Sequence, residues 1–176
     1  MTLSNWRHET ADIPEHGLVA ERHATAEERA AVAAELRLVA LDRLTVRYDI
    51  RPLDDGRYYL SGDIEAEVVQ NCVVTLEPVA ARLVERLAVD LWPSAQMPQA
   101  ASGTLDPLAS DDPEPIEDGR IAIGRIVLEH LTTAIDPYPR KADAEFSWTD
   151  EPPPPAARPE PAGGPFAALA KWKQKT

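Results

Sequence analysis

Residues 44–69, LTVRYDIRPLDDGRYYLSGDIEAEVV, decide the fold, because apolar side chains recur at alternate positions on both sides of a turn signal. A two-residue period predicts a strand with one buried face. Asp55-Gly56 supplies the positive φ angles of a tight turn, and Pro52 closes the first strand. The predicted inward residues are Leu44, Val46, Tyr48, Ile50, Leu60, Ile64, Ala66 and Val68. The stretch therefore predicts an antiparallel hairpin.

A third strand is predicted over residues 81–92, ARLVERLAVDLW. Its predicted inward residues are Leu83, Leu87, Val89 and Leu91. Residues 70–79, QNCVVTLEPV, then form the connection between the second and third strands. In this connection we expect Val73, Val74 and Leu76 to be available to the core and Pro78 to end the turn.

Two helices are predicted to accompany the sheet. Residues 25–41, TAEERAAVAAELRLVAL, begin with the capping-box pair Thr25 and Glu28 and place Val32, Leu36 and Val39 on one face. A second helix has Ile123, Val127, Leu131 and Ala134 on one face, and Asp136-Pro137 stops it. The pattern predicts an α+β fold: an antiparallel meander packed with two helices. Whether the sheet closes into a barrel is left open.

Composition divides the 176-residue chain. Seven of its 17 prolines fall within 152–165, which predicts an extended linker. We expect a folded domain over 1–148, a proline-rich linker over 149–164 and a short helical tail over 165–176. The net charge is −12, and residues 104–118 hold six acids with no Lys or Arg. An acidic, largely disordered insertion is therefore expected at about 98–118.

The chain begins without a signal-peptide pattern, and no apolar run is long enough to cross a membrane, so a cytoplasmic protein is expected. A single cysteine, Cys72, excludes an intrachain disulfide and any multi-cysteine metal site within one chain. Because no basic residue lies between Ile64 and Ala81, the sequence offers Cys72 no evident activation, and a half-buried packing role is favoured over catalysis.

Other chemical motifs are weak. The four histidines, His8, His16, His23 and His130, show no metal-ligand spacing, and phosphate-binding or esterase motifs are absent from the sequence. Asp63, Glu65 and Glu67 form an acidic row on the predicted outer strand face, which favours solvation but also suits a basic partner. No enzyme activity, cofactor or metal is expected.

Local basic groups leave room for an RNA contact despite the acidic total. Arg125 lies near the start of the second helix, Arg140 and Lys141 follow its end, and Lys171 and Lys173 lie in the tail. Each taken alone is equally suited to solubility or to complementing a helix C-terminus.

Four segments, in order, resemble the YceD family, known as large ribosomal RNA subunit accumulation proteins. They are TAEERAAVAAELRLVALDRL, AEVVQNCVVTLEPV, DPEPIEDGRI and DPYPRKADA, and the resemblance covers residues 10–146. PFAALAKWK resembles the C-terminal tail of one branch. The family-like positions are Cys72, Leu76, Pro78, Pro137 and Arg140. Many members carry CxxC where this chain has Cys72 and Thr75, and a lone sulfur can form neither an intrachain disulfide nor a CxxC metal clamp.

The resemblance implies a non-enzymatic ribosome biogenesis factor that supports accumulation of large-subunit ribosomal RNA by binding precursor RNA or an assembly intermediate. The expected partner is that RNA or a pre-ribosomal particle, with no membrane. An alternative is an acidic adaptor that holds a basic ribosomal protein on the insertion and the acidic strand row. A cysteine-dependent or metal enzyme is a third hypothesis.

Overall fold

The chain divides into two units, Met1–Glu145 and Phe146–Thr176. A computed structural model describes residues 2–97 and 113–145, all within the first unit. The expected linker at 149–164 and the expected tail at 165–176, with Lys171 and Lys173, lie outside the described residues. Most of the expected acidic insertion, residues 98–112, also lies outside them.

The described residues form seven strands and two α-helices. The strands are β1 (His8–Glu9), β2 (Leu18–His23), β3 (Ala40–Pro52), β4 (Tyr58–Asn71), β5 (Pro78–Pro93), β6 (Glu114–Ile116) and β7 (Arg120–Ile121). The helices are α1 (Ala26–Glu35) and α2 (Ile123–Ala134). The predicted α+β fold is confirmed.

One five-stranded sheet has the order β2-β3-β4-β5-β6, and β1 pairs with β7 separately. Neighbours from β2 to β5 run antiparallel, as the meander prediction requires, whereas β6 runs parallel to β5. Among the described strands the sheet is open, with β2 and β6 at its edges, so the barrel alternative is not seen there.

The core lies on the face of the sheet that the alternation predicted. The eight inward residues of β3 and β4 are each at most 2% exposed. On β5, Leu87 and Leu91 are buried, while Leu83 and Val89 are partly buried against the same cluster. Helix α2 adds Ile123, Val127 and Leu131, whereas Ala134, the fourth residue predicted on that face, is only half-buried. The burial predicted from sequence periodicity is therefore confirmed for the sheet and for α2.

The first helix is shorter than predicted. Thr25 and Glu28 form the expected capping box, but α1 ends at Glu35 rather than near residue 41. Arg37 adopts a positive φ of 56°, and the Leu38 amide donates to the Ala33 carbonyl oxygen, which is a Schellman ending. Val39 therefore leaves the predicted buried face and is 53% exposed.

Two further differences concern segments that the sequence left unassigned or called disordered. The last six residues of the expected insertion, 113–118, lead into and out of β6, so this part is ordered on the edge of the sheet. The N-terminal segment places Leu3 and Trp6 in the core, each 4% exposed. Within the described residues, no helix is long and apolar enough to span a membrane.

Candidate functional site

The connection between β4 and β5 is a tight turn closed by its own backbone. The Cys72 amide donates to the Glu77 carbonyl oxygen at 2.8 Å, and the Leu76 amide donates to the Cys72 carbonyl oxygen at 2.9 Å. Leu76 reaches this geometry with a φ of 61°, an uncommon conformation for a residue with a side chain. The prediction that residues 70–79 connect two strands is confirmed, with β5 beginning at Pro78.

The segment that follows α2 packs against this turn. Helix α2 ends at Ala134, before Asp136-Pro137, as predicted. The Val73 amide donates to the Pro139 carbonyl oxygen at 2.9 Å, and the Gln70 side chain donates to the Asp136 carbonyl oxygen at 2.9 Å. We call residues 72–77 and 136–141 together the junction. It joins two chain segments that hold four of the five family-like positions named from the sequence, Cys72, Leu76, Pro137 and Arg140.

Cys72 lies at the centre of the junction and is fully buried. Its Sγ accepts the backbone amides of Val74 at 3.4 Å, Thr75 at 3.5 Å and Lys141 at 3.5 Å. The Thr75 hydroxyl and these amides lower the pKa of the Cys72 thiol to about 6. The sulfur thus connects the turn to a residue 69 positions away, and Cys72 is fully buried rather than half-buried as predicted.

The stabilising environment of Cys72 could not be inferred from the sequence, because its donors are the Thr75 hydroxyl and backbone amides rather than basic side chains. The Lys141 ammonium group is directed elsewhere: its Nζ donates to Glu77 at 2.9 Å. This hydrogen bond lowers the pKa of the Glu77 carboxyl and raises the pKa of Lys141. The ion pair adds a second connection between the two segments.

Four side chains of the junction are exposed. Leu76 is 76% exposed, Tyr138 73% and Val73 49%, which corrects the expectation that Val73 and Leu76 serve the core. Arg140 is exposed and forms no ion pair with the described residues. We call Val73, Leu76, Tyr138 and Arg140 the junction surface. It combines apolar and aromatic area with one guanidinium group that has no ion pair in the part of the chain that the structure describes, and its backbone is held by hydrogen bonds.

The other predicted contact residues are placed differently. Arg125 lies in the first turn of α2, outside the junction. Its guanidinium group donates to Glu114 at 2.6 Å and to Glu129 at 3.1 Å. Its side chain is only 34% exposed, so it is a structural ion-pair residue in this arrangement. Of the predicted basic contacts within the described residues, only Arg140 lacks a carboxylate partner.

The acidic row on β4 is flanked by arginines on both neighbouring strands. Register places Glu67 between Arg43 and Arg82, and Asp63 between Arg47 and Arg86. Within this row, Glu65 accepts from Arg82 at 2.9 Å. The outer face therefore carries acidic and basic side chains on neighbouring strands, and its attraction for a basic partner is reduced.

The histidines do not assemble a metal site. His8 Nε2 lies 2.7 Å from the buried Tyr48 hydroxyl, and burial followed by the positive charge of Arg22 lowers the His8 pKa. His23 Nδ1 lies 3.2 Å from the Thr45 hydroxyl. Across residues 2–97 and 113–145, no group of three or more His, Cys, Asp and Glu side chains is placed to hold a metal ion.

The fold and junction define an α+β protein whose principal candidate site is a hydrogen-bonded contact surface. No protein-family model, curated protein or solved structure matches the chain. The likeness to the YceD family therefore rests on the four sequence segments quoted above, three of which contribute to the junction or to the β6–β7 region beside α2.

Proposed function

We propose that this protein is a cytoplasmic, non-enzymatic assembly factor that supports accumulation of large-subunit ribosomal RNA, and that the junction surface contacts that RNA. The observation that carries the proposal is the exposure of both Tyr138 and Arg140 on a segment fixed by hydrogen bonds, with no ion pair to Arg140 among the described residues. The family resemblance supplies the biological setting.

The chemistry of the junction surface suits an unpaired nucleotide. An exposed tyrosine ring stacks on a base of any sequence, and such stacking contributes about 1–3 kcal/mol per base. The Arg140 guanidinium group, two residues further along, binds phosphate oxygens in a forked geometry. Because the Pro139 carbonyl and the Lys141 amide are both bonded to the turn, little backbone freedom is lost on binding.

Binding of this kind depends on few contacts rather than on a broad positive field. The chain carries a net charge of −12, so long-range attraction to RNA is unfavourable. Lys141 and Arg125 are already paired with carboxylates. With one or two phosphate contacts, the slope of log K against log salt should be only about −0.7 to −1.4 on single-stranded RNA.

An enzymatic role is less well supported by the same geometry. The Cys72 sulfur accepts three amides and is fully buried, so a substrate reaches it only if the junction opens. Replacing Cys72 by Ser therefore should leave ribosomal RNA accumulation nearly intact. Complete loss of function with the fold preserved would restore the cysteine-enzyme hypothesis.

Deletion of the gene tests the proposed function. We expect a lower ratio of large-subunit to small-subunit ribosomal RNA, with fewer free large subunits in a sucrose gradient. Complementation with the wild-type chain should restore both measurements. An unchanged ratio together with a normal subunit profile in the deletion strain would reject the proposal.

A further inference from the structure

A separate groove lies beside the first turn of α2, outside the junction. Its volume is about 440 Å³, and it is bounded by the N-terminal segment, the end of α1, the β6–β7 turn and α2. The apolar part of the lining comes from Leu3, Trp6, Pro115, Ala122 and Leu128. We call it the N-terminal groove. Volumes of this order are typical of sites that enclose a small ligand or an anchoring side chain.

The groove is preformed by a close approach between the N-terminal segment and α2. The Gly124 amide donates to the Trp6 carbonyl oxygen at 2.9 Å. A Cβ atom on Gly124 would lie only 2.2 Å from the Leu3 carbonyl oxygen, so the approach requires glycine. The Trp6 indole N–H donates to Glu28 at 3.0 Å, which fixes the ring in the floor. An occupant would not have to create this space.

The rim of the groove carries excess negative charge. Carboxylates of Glu35, Glu117, Asp118 and Glu129 line it, together with the guanidinium groups of Arg7, Arg120 and Arg125.

Two of these arginines are already neutralised by acids. Arg120 donates to Glu9 at 2.8 Å, and Arg125 donates to both Glu114 and Glu129. Glu117 and Asp118 are exposed and form no ion pair within the described residues, and the same is true of Arg7, so the unpaired carboxylates on the rim outnumber the one unpaired guanidinium group. A cation is thus attracted to this rim, whereas a phosphate group is repelled.

We propose that the N-terminal groove binds a basic peptide segment of a partner protein, with one large apolar side chain of that segment anchored on Trp6 and Leu128. The apolar floor suits an anchor that loses its water on binding, and the acidic rim suits flanking lysines or arginines. RNA is the poorer occupant because its phosphates would face unpaired carboxylates. The inference concerns a surface separate from the junction and does not depend on the RNA contact proposed there.

The test uses the full chain and two fluorescein-labelled synthetic peptides. One peptide alternates lysine and leucine around a central tryptophan, and the other replaces every lysine by glutamate. Fluorescence anisotropy should show saturable binding of the basic peptide and at least about tenfold weaker binding of the acidic one. A third peptide, of lysine alone, should also bind at least about tenfold more weakly, because it lacks the anchor.

Two variants locate the binding. Glu117→Arg reverses an exposed rim charge, and Ala122→Trp fills the groove from an exposed position; each should weaken binding of the basic peptide at least about fivefold. Glu15→Arg, the same reversal at an exposed acid outside the groove, should leave binding unchanged. If Ala122→Trp lowers the melting temperature, binding by Glu117→Arg is compared with binding by Glu15→Arg alone.

Failure of the basic peptide to bind would overturn the proposal. Equal binding of the lysine-only peptide, or equal weakening by Glu117→Arg and Glu15→Arg, would also overturn it, because either result would show attraction to net charge rather than occupation of the groove. RNA binding lost on filling the groove with Ala122→Trp would contradict the choice of occupant.

Discussion

Substitution of Gly124 by Ala should destabilise the protein, although alanine is the better helix former. The added Cβ would lie 2.2 Å from the Leu3 carbonyl oxygen and 2.8 Å from the Leu3 Cβ. Ordinary contacts begin near 3.4 Å, so the backbone of the N-terminal segment must retreat from α2 by roughly 1 Å. The movement stretches the hydrogen bond from Gly124 to Trp6 and loosens two buried side chains, Leu3 and Trp6.

Two opposing contributions set the magnitude. Replacing glycine within a helix gains about 0.5–1 kcal/mol from reduced backbone entropy of the unfolded chain. Overpacking costs typically about 1–3 kcal/mol, and partial exposure of Leu3 adds up to about 1.5 kcal/mol. These contributions span a net destabilisation of about 0–4 kcal/mol for Gly124→Ala, and the middle of that range, about 2 kcal/mol, is the expected value. At about 4 °C per kcal/mol for a domain of this size, the melting temperature should fall by roughly 8 °C.

Circular dichroism melting gives the stability, and hydrogen exchange locates the effect. Amides of residues 3–8 should exchange faster in Gly124→Ala, while amides in the centre of β4 should change only with global stability. Thr132→Ala, an exposed change on the same helix, is the matched control and should alter stability by less than about 1 kcal/mol. Equal or greater stability of Gly124→Ala, with unchanged exchange at residues 3–8, would refute the close approach.

Two other predictions follow. Because the pKa of Cys72 is lowered from 9.0 to about 6, the thiolate stabilises the fold fully above pH 9, and this contribution declines as the pH falls towards 6. The stability difference between the wild type and Cys72→Ala should shrink over that range, and thiolate absorbance should have a midpoint near pH 6; a pH-independent difference would contradict the hydrogen-bonded sulfur. Arg37→Gly relieves a positive φ of 56° and should raise the free energy of unfolding by about 0.5–1 kcal/mol in denaturant titrations, whereas a decrease would argue against the helix ending described here.

The sheet was predictable because its strands and turn are specified by residues that are close together in the sequence. Alternation over residues 44–69 specifies both the strands and the buried face, and Asp55-Gly56 specifies the turn; both Asp55 and Gly56 have positive φ angles. Helix α1 was overextended because its ending depends on Arg37 in a left-handed conformation, without the glycine that usually signals one. Short edge strands such as β6 carry too few residues for a period to be recognised.

The candidate site was predictable only in part. Sequence singled out both segments of the junction, but their association depends on contacts such as Cys72 with Lys141, which are 69 positions apart. The exposure of Leu76 follows from its positive φ angle. A leucine in the sequence gives no sign of such a backbone conformation. Likewise, Arg125 pairs with Glu114 because β6 lies beside α2. The order of charged residues along the chain does not show that these two elements are neighbours.

Co-sedimentation with pre-large-subunit particles tests the central proposal most directly. Tyr138→Ala combined with Arg140→Glu should lower the bound fraction of the full chain at least about tenfold, since a lost stack and a repelled phosphate together exceed 1.4 kcal/mol. Arg86→Glu is the matched control, because Arg86 is also exposed and has no ion pair within the described residues. The account predicts wild-type sedimentation for Arg86→Glu and loss for the junction variant. Undiminished association of a folded junction variant would contradict the account.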